Sequence, residues 1–240
     1  RFVSPVREGQ EKEKMQITFR KDTFYEHSRA LLNCFETEFK PYLKISTQSL
    51  NYLWKKEVDW ERIVKVILGL HDYGKLNIFW QNPMVEFQEK KTGTPCREVL
   101  AHTDYNEVMD RELAIECRVK KKPPHAGIGA RQVFEVLLAE WGEEGEDLAR
   151  IAAYAVLKHH SVETNSCENF SIPKKYILEV EKLFEDCPLK GKFLMEGRKE
   201  ELNDIIIEND KEQLTYFFLV RLLRMCDQKA TENMEKYYMR

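Results

Sequence analysis

No apolar run in this chain of 240 residues is long enough to cross a bilayer. The longest, such as Ile63 to Leu70, are interrupted by charge and fall well short of the ~20 residues a spanning helix needs, so no membrane association is expected. No signal sequence is read at the N-terminus. The six cysteines are Cys34, Cys96, Cys117, Cys167, Cys187 and Cys226. They form no C-x-x-C pair and their scatter does not describe a disulfide framework. The expectation is a reduced, cytoplasmic chain with mostly buried thiols. Neither sign of charge prevails: 38 Lys and Arg face 41 Asp and Glu, for a net charge of -3. No global field therefore draws the chain to a polyanion. Any such contact must come from local runs such as Lys120-Lys121-Lys122 or Lys174-Lys175, whose plainest reading is solvated loop lysines. Repeats and low-complexity tracts are absent, and strand signals are weak.

What is present is helical periodicity. Phe24, Leu31 and Phe35 mark a first apolar stripe that carries His27. Ile63, Val64, Ile67 and Leu70 mark a second, ending at His71-Asp72, where Gly74 is expected to break the helix. Val133, Phe134, Leu137 and Leu138 mark a third, entered through Pro123-Pro124-His125-Ala126-Gly127. Leu148, Ile151, Ala152, Ala155 and Val156 mark a fourth, with His159 following on the same face. Leu214, Phe217, Phe218 and Leu222 mark a fifth that carries Asp227. Spacings of three, four and seven are the helix signature. Asn169 to Lys175, with Pro173 inside, reads as an extended loop or a short hairpin arm. An all-α fold is expected, as one domain over residues 1–240. Its helical core runs from about residue 20, with polar insertions at about 82–122 and 161–210. Hydrophobic residues are 42% of the chain, and its length suffices to bury a core.

Histidine is scarce as well, with six in the chain. Five of them, His27, His71, His125, His159 and His160, form an ordered series with Asp72 and Asp227. His102 is left over. Singly, each has a plain structural reading. A helix-end His pair suits the negative end of the helix dipole, and Asp227 is placed to pair with Arg224. Together they are far less readily accidental: three helices reach the same kind of position, where an apolar stripe ends in a His or Asp aimed inward and an unpaired charge is costly. A metal ion would satisfy them jointly. Five imidazoles and two carboxylates exceed the protein ligands one ion normally takes, so two divalent ions are expected. Mn, Ni, Co, Fe and Mg all remain open, and the imidazoles favour a transition metal. Two ions ~3.5–4 Å apart can share a hydroxide and stabilise both oxygens of a phosphoryl displacement. Asp72 is the natural bridge. Lys75 is placed to offset charge on a phosphate in the transition state, or else to sit at the surface of a helix end.

The run His71-Asp72-Tyr73-Gly74-Lys75 resembles the signature of the HD superfamily of metal-dependent phosphohydrolases. With Asn77 and Phe79-Trp80-Gln81 after it, then His125, Gly127, His159-His160 and a late Asp, the chain is similar to the HD nuclease of type I CRISPR interference, in its stand-alone subunit form. The resemblance runs from His27 to Asp227. It implies an HD-domain helical bundle that cleaves DNA, preferring single strands, by two-metal activation of water in antiviral defence, with RNA left open as a substrate. It also implies one ion on His27, His71, Asp72 and Asp227 and a second on Asp72, His125, His159 and His160, with Asp72 and Lys75 as catalytic residues. A helicase subunit and a guide-RNA surveillance complex are the implied partners. The chain has no G-x-x-x-x-G-K-[ST] motif, so any unwinding comes from a partner. Three departures stand out: Trp80 where Phe is usual, Ser161 where Gly is common, and a long gap from Asp72 to His125.

Phe79 and Trp80 are expected either to stack on bases or to pack in the core. Two other functions stay open: a phosphohydrolase of small nucleotides in the same superfamily, and a non-catalytic module stabilised by metal. Whatever the reaction, metal affinity is expected to fall as pH drops through ~6.5 and the imidazoles protonate.

Overall fold

Residues 18–238 are described by the computed structural model. The reading of the N-terminus as free of a signal sequence lies outside the described residues. After β1 (Thr18–Phe19) and β2 (Asp22–Thr23), the chain enters α1 (Phe24–Cys34). Thr23 and Glu26 form a capping box there: the Thr23 hydroxyl accepts from the Glu26 N–H, and the Glu26 carboxylate from the Thr23 N–H. One π-helical turn then leads into α2 (Lys40–Trp54), followed by α3 (Trp60–Leu70) and a 3-10 turn, Tyr73–Leu76. Next come α4 (Ile78–Thr92), β3 (Leu100–His102), β4 (Tyr105–Asn106), α5 (Arg111–Glu116) and a second 3-10 turn, Val119–Lys121. The helices α6 (Ala126–Trp141) and α7 (Glu146–Leu157) pack along each other as a hairpin. They are followed by β5 (Ser166–Cys167), β6 (Phe170–Ser171), α8 (Lys174–Leu183), β7 (Glu196–Gly197), β8 (Glu200–Glu201), α9 (Asp210–Glu232) and α10 (Met234–Tyr238).

The fold is mainly helical, with the strands reduced to short antiparallel pairs: β1 with β4, β2 with β3, β5 with β8 and β6 with β7. The segment from Asn169 thus supplies a strand, but its partner lies beyond α8 rather than in a tight hairpin. The apolar helix α3 runs through the centre, against α1, α6 and α9. Its Ile63, Val66, Ile67 and Leu70 are fully buried, and each such side chain contributes ~1.5–3 kcal/mol by leaving water. A second, smaller cluster (Trp80, Met84, Phe87, Leu100, Ala114, Cys117 and Val119) forms between α4, α5 and β3.

Two expectations change. The stripe proposed for α9 is half right: Leu222 is buried and Phe218 packs against the core, but Leu214 and Phe217 are about 60% exposed (59% and 60%), while Thr215, Tyr216, Leu219, Val220, Leu223 and Cys226 are buried. Asp227 aligns with Leu223, Val220 and Tyr216 on the inward face, and the hydroxyl of Thr215 accepts the indole N–H of Trp54 at 2.9 Å. The inward face thus includes a polar residue satisfied in the core, while two large apolar residues face solvent. Nor does Gly74 break a helix. It lies inside the 3-10 turn, where a Cβ would stand 2.3 Å from the His125 carbonyl oxygen. On the opposite side, a Cβ at Gly129 would stand 2.4 Å from the His71 carbonyl oxygen. The two glycines let the end of α3 and the start of α6 touch backbone to backbone, which brings His71-Asp72 beside His125.

Candidate metal centre

Each member of the histidine series arrives at the end of an element or one turn into it. His27 follows the capping box of α1, and the β2–β3 register sets Asp22 opposite His102 just outside that helix. His71 caps α3, and its Nδ1 bonds the Leu68 carbonyl at 3.0 Å, which turns Nε2 inward. His125 opens α6. His159 and His160 follow α7, and His159 Nδ1 bonds the Val156 carbonyl at 2.5 Å, again leaving Nε2 inward. Here Arg224 does not pair with Asp227. It donates to the carbonyls of Lys158 and His159, at 2.8 Å each, and fixes the end of α7. The buried Lys158 ammonium holds the following loop through Val162, Thr164 and Asn165.

These side chains converge on Asp72, which is 1% exposed. Its Oδ2 lies 3.3 Å from His27 Nε2, 3.4 Å from His71 Nε2 and 2.7 Å from Lys75 Nζ. Its Oδ1 lies 3.0 Å from His125 Nε2. Asp227 Oδ1 is 3.4 Å from His27 Nε2. His125 and His160 point Nε2 at each other at 3.0 Å, and the His159 ring lies 3.8 Å from that of His160 and 5.3 Å from that of His71. Ligand atoms of Asp72, His125, His159 and His160 lie within 4.8 Å of one another, as do those of His27, His71 and Asp72. All seven residues of the series therefore meet at one place.

The donor set fits divalent ions. Both Asp72 oxygens and the Nε2 atoms of His27 and His159 are buried and make no hydrogen bond of good geometry; what surrounds the Asp72 oxygens at 2.7–3.4 Å are ion-pair contacts from Lys75 and the imidazoles. Orphaned polar atoms are costly, and inward imidazole nitrogens facing carboxylate oxygens are the chemistry of a transition-metal site. Burial would raise the Asp72 carboxyl, but His71, Lys75 and His125 around it outweigh that and hold it well below the usual carboxylate range. Burial also works against a charged His27, yet Asp22, Asp227 and Asp72 prevail and hold its pKa well above 6.5. His125 and His159 go the other way: burial pushes them down to about 4 and about 3.

Lys75, for which a surface position was one reading, is buried. Its ammonium contacts Asp72 and, at 3.3 Å, His102 Nε2. Sequence reasoning set His102 aside and missed Asp22. His102 Nδ1 bonds Asp22 Oδ1 at 2.8 Å, and Asp22 Oδ2 lies 3.4 Å from His27 Nδ1. Asp22 thus orients a histidine on either side. The Thr-x-x-Glu cap at Thr23 marked the helix start beside Asp22, but the strand pairing that delivers His102 left no local trace. Gln81 bolts the Lys75 turn to β3: its amide donates to the carbonyls of Lys75 and Leu100, at 2.7 Å each, and accepts the Leu100 N–H at 3.0 Å. Trp80 is buried, whereas Phe79 is 51% exposed.

A helical domain folded around a His/Asp cluster of this kind defines a metal-binding hydrolase scaffold of HD type. The family described as Cas3, HD domain matches residues 22–212, and the chain belongs to it: an HD-domain nuclease of type I CRISPR Cas3 type. Membership brings a nucleic-acid substrate and a CRISPR setting. The match spans six of the seven residues of the series, and Asp227 lies beyond it. No curated protein and no solved structure matches the chain. Among the described residues, no helix is long and apolar enough to cross a membrane.

Proposed function

We propose that the protein cleaves DNA phosphodiesters, preferring single strands, with divalent ions on both sides of Asp72. His27, His71, Asp72 and Asp227 would hold one ion, and Asp72, His125, His159 and His160 the other. The observation that carries this reading is the division of a single buried carboxylate, with Oδ2 turned to one histidine set and Oδ1 to the other. Bound there, such ions supply Lewis acidity to the phosphate and a hydroxide nucleophile at neutral pH.

The chain's own groups do the rest. Asp72 fixes the spacing of the two sides. Lys75 presents an ammonium, fixed by Asp72 and His102, to the phosphate oxygens as their charge grows. Gln81 keeps that turn in place. Phe79, exposed on the first turn of α4, offers a face to an unpaired base, which supports the single-strand preference. A helicase and a guide-RNA surveillance complex, in the cytoplasm, are the partners this reading calls for.

The test is purified protein with Mn²⁺, Ni²⁺, Co²⁺ or Mg²⁺ on labelled single-stranded DNA, with RNA and free nucleotides in parallel. Cleavage of the strand by the parent and none by Asp72→Ala is expected. Equal cleavage by both would remove the cluster from the mechanism. Turnover of free nucleotides alone would make the protein a nucleotide phosphohydrolase.

A further inference from the structure

The run Lys120-Lys121-Lys122 does not behave as three solvated lysines. Lys121 is exposed and Lys120 lies 3.8 Å from Glu107, but Lys122 is half-buried and turns inward ahead of Pro123-Pro124-His125. It lines a cavity of about 350 Å³ beside the metal centre, together with Lys75, Trp80, Val119, His125 and His160. The Lys122 ammonium stands 5.2 Å from the centroid of the Trp80 ring, and the Lys75 ammonium 5.7 Å from the same ring. Among the described residues no carboxylate pairs with Lys122. Burial and the nearby Lys75 charge push its pKa down to about 8. The buried indole N–H of Trp80 has no hydrogen-bond partner.

Two ammonium groups gathered within 5.7 Å of the centroid of one aromatic ring, one of them without an anion, oppose each other at a cost to the fold. A ligand that brings negative charge relieves that cost. The cavity opens against His125 and His160, so the ligand abuts the ion-binding side of Asp72 that lacks a second carboxylate. Its volume lies within the ~300–1,000 Å³ of small-ligand sites, and Val119 gives it an apolar wall.

We propose that this cavity is a subsite for the nucleotide next to the bond being cut, with Lys122 on the Trp80 platform holding that nucleotide's backbone phosphate. The proposal rests on the nuclease reading above. Lys122 acts on substrate binding, and its neighbours in the run do not.

Binding of a fluorescent single-stranded decamer with phosphorothioate linkages, followed by anisotropy in Mn²⁺ across a salt series, tests this apart from turnover. Lys122→Met keeps the apolar stem and should weaken binding about tenfold, the scale of one charged hydrogen bond. The slope of log affinity against log salt should shrink by about 0.7, one phosphate contact on a single strand. Lys122→Arg should restore both, and Lys121→Met should change neither. In cleavage assays Lys122→Met should raise KM and leave kcat near that of the parent. Parent-like affinity and slope in Lys122→Met would overturn the subsite while leaving the nuclease intact. So would equal losses in the Met and Arg variants together with a lowered melting temperature, which mark a structural role. A parent that neither binds nor cleaves the strand removes the nuclease reading and the subsite with it.

Discussion

The two oxygens of Asp72 look onto unlike surroundings. On the Oδ2 side stand His27, His71, Lys75 and, through His27, the carboxylates of Asp227 and Asp22. On the Oδ1 side stand three imidazoles, His125, His159 and His160, with no carboxylate besides Asp72 itself. The first side is buried and rich in negative charge. The second is edged by the exposed His160 and opens to the cavity of Lys122. Negative charge and burial favour a tightly held ion, whereas neutral imidazoles and an open edge favour one that shares its coordination with substrate. In the proposed two-ion scheme, the first side would anchor its ion and the second would meet the reacting phosphate.

The sharpest way to break this comparison is to remove what the sides share. Asp72→Asn keeps the shape and removes the charge, and activity should fall by about three orders of magnitude, the scale of losing a principal electrostatic group. Metal analysis of the dialysed variant should show loss at both sides. Retention of one full equivalent would mean that the sides do not depend on a common carboxylate. Next come single-sided changes. Asp227→Asn should weaken the tighter of two Mn²⁺ affinities by about 10²-fold and His159→Ala the weaker one, a carboxylate or imidazole ligand costing at least as much as the outer partners that are worth 10–100-fold. Calorimetric titration separates the two, and identical effects of the two variants would abolish the distinction.

How much of this was legible in the sequence follows from the range of the forces involved. The stripes of α1, α3, α6 and α7 were readable because helical periodicity is local; His71-Asp72 and His159-His160 were readable because each terminates such a stripe, and His125 because it stands at the entry to one. The inward face of α9 was readable only in part, because a buried threonine satisfied by Trp54 scores as polar while exposed Leu214 and Phe217 score as apolar. Gly74 was noticed, but its reason was not: the clash it avoids is with His125, far along the chain. The Asp22–His102 pair depends on a two-residue strand pairing across 80 positions, which carries no periodic signal. Lys122 differs from Lys121 only in the direction the backbone takes into Pro123.

The comparison also divides the pH response, which the sequence suggested would be common to all the histidines. In the ion-free protein the folded pKa of His27 lies above its unfolded value near 6.5, so its contribution to stability is present below that pH and lost as pH rises through the folded value. His125 and His159 have folded values of about 4 and about 3, so the unfolded chain takes up protons first. Their contribution is lost as pH falls below ~6.5, by up to ~1.4 kcal/mol per unit for each ring. Ion uptake on the first side must displace a proton from His27. Its affinity should rise about tenfold per pH unit while that ring stays charged. Affinity on the second side should stay level from pH 8 down to pH 5.5. Mn²⁺ titrations over that range in His159→Ala and Asp227→Asn, which isolate the sides, would expose equal slopes if the division were wrong.

The smallest expected effect falls on Asp22, which holds no ion in this scheme but orients His27 on one flank and His102 on the other. Replacing it with Asn keeps a hydrogen-bond acceptor and removes the charge that helps keep His27 protonated. Two consequences oppose each other. The His27 proton becomes easier to displace, while the ring loses the partner that aims Nε2 at Asp72 and Asp227. Loss of an outer-shell partner costs 10–100-fold in metal affinity, and easier proton displacement offsets part of that. The net loss on the first side should be about tenfold at pH 7 and larger at a pH above the folded His27 value, where the proton no longer matters. Second-side affinity should match that of the parent at both values. A gain at pH 7 that vanished with rising pH would mean that Asp22 acts through the His27 charge alone and not through the orientation of that ring.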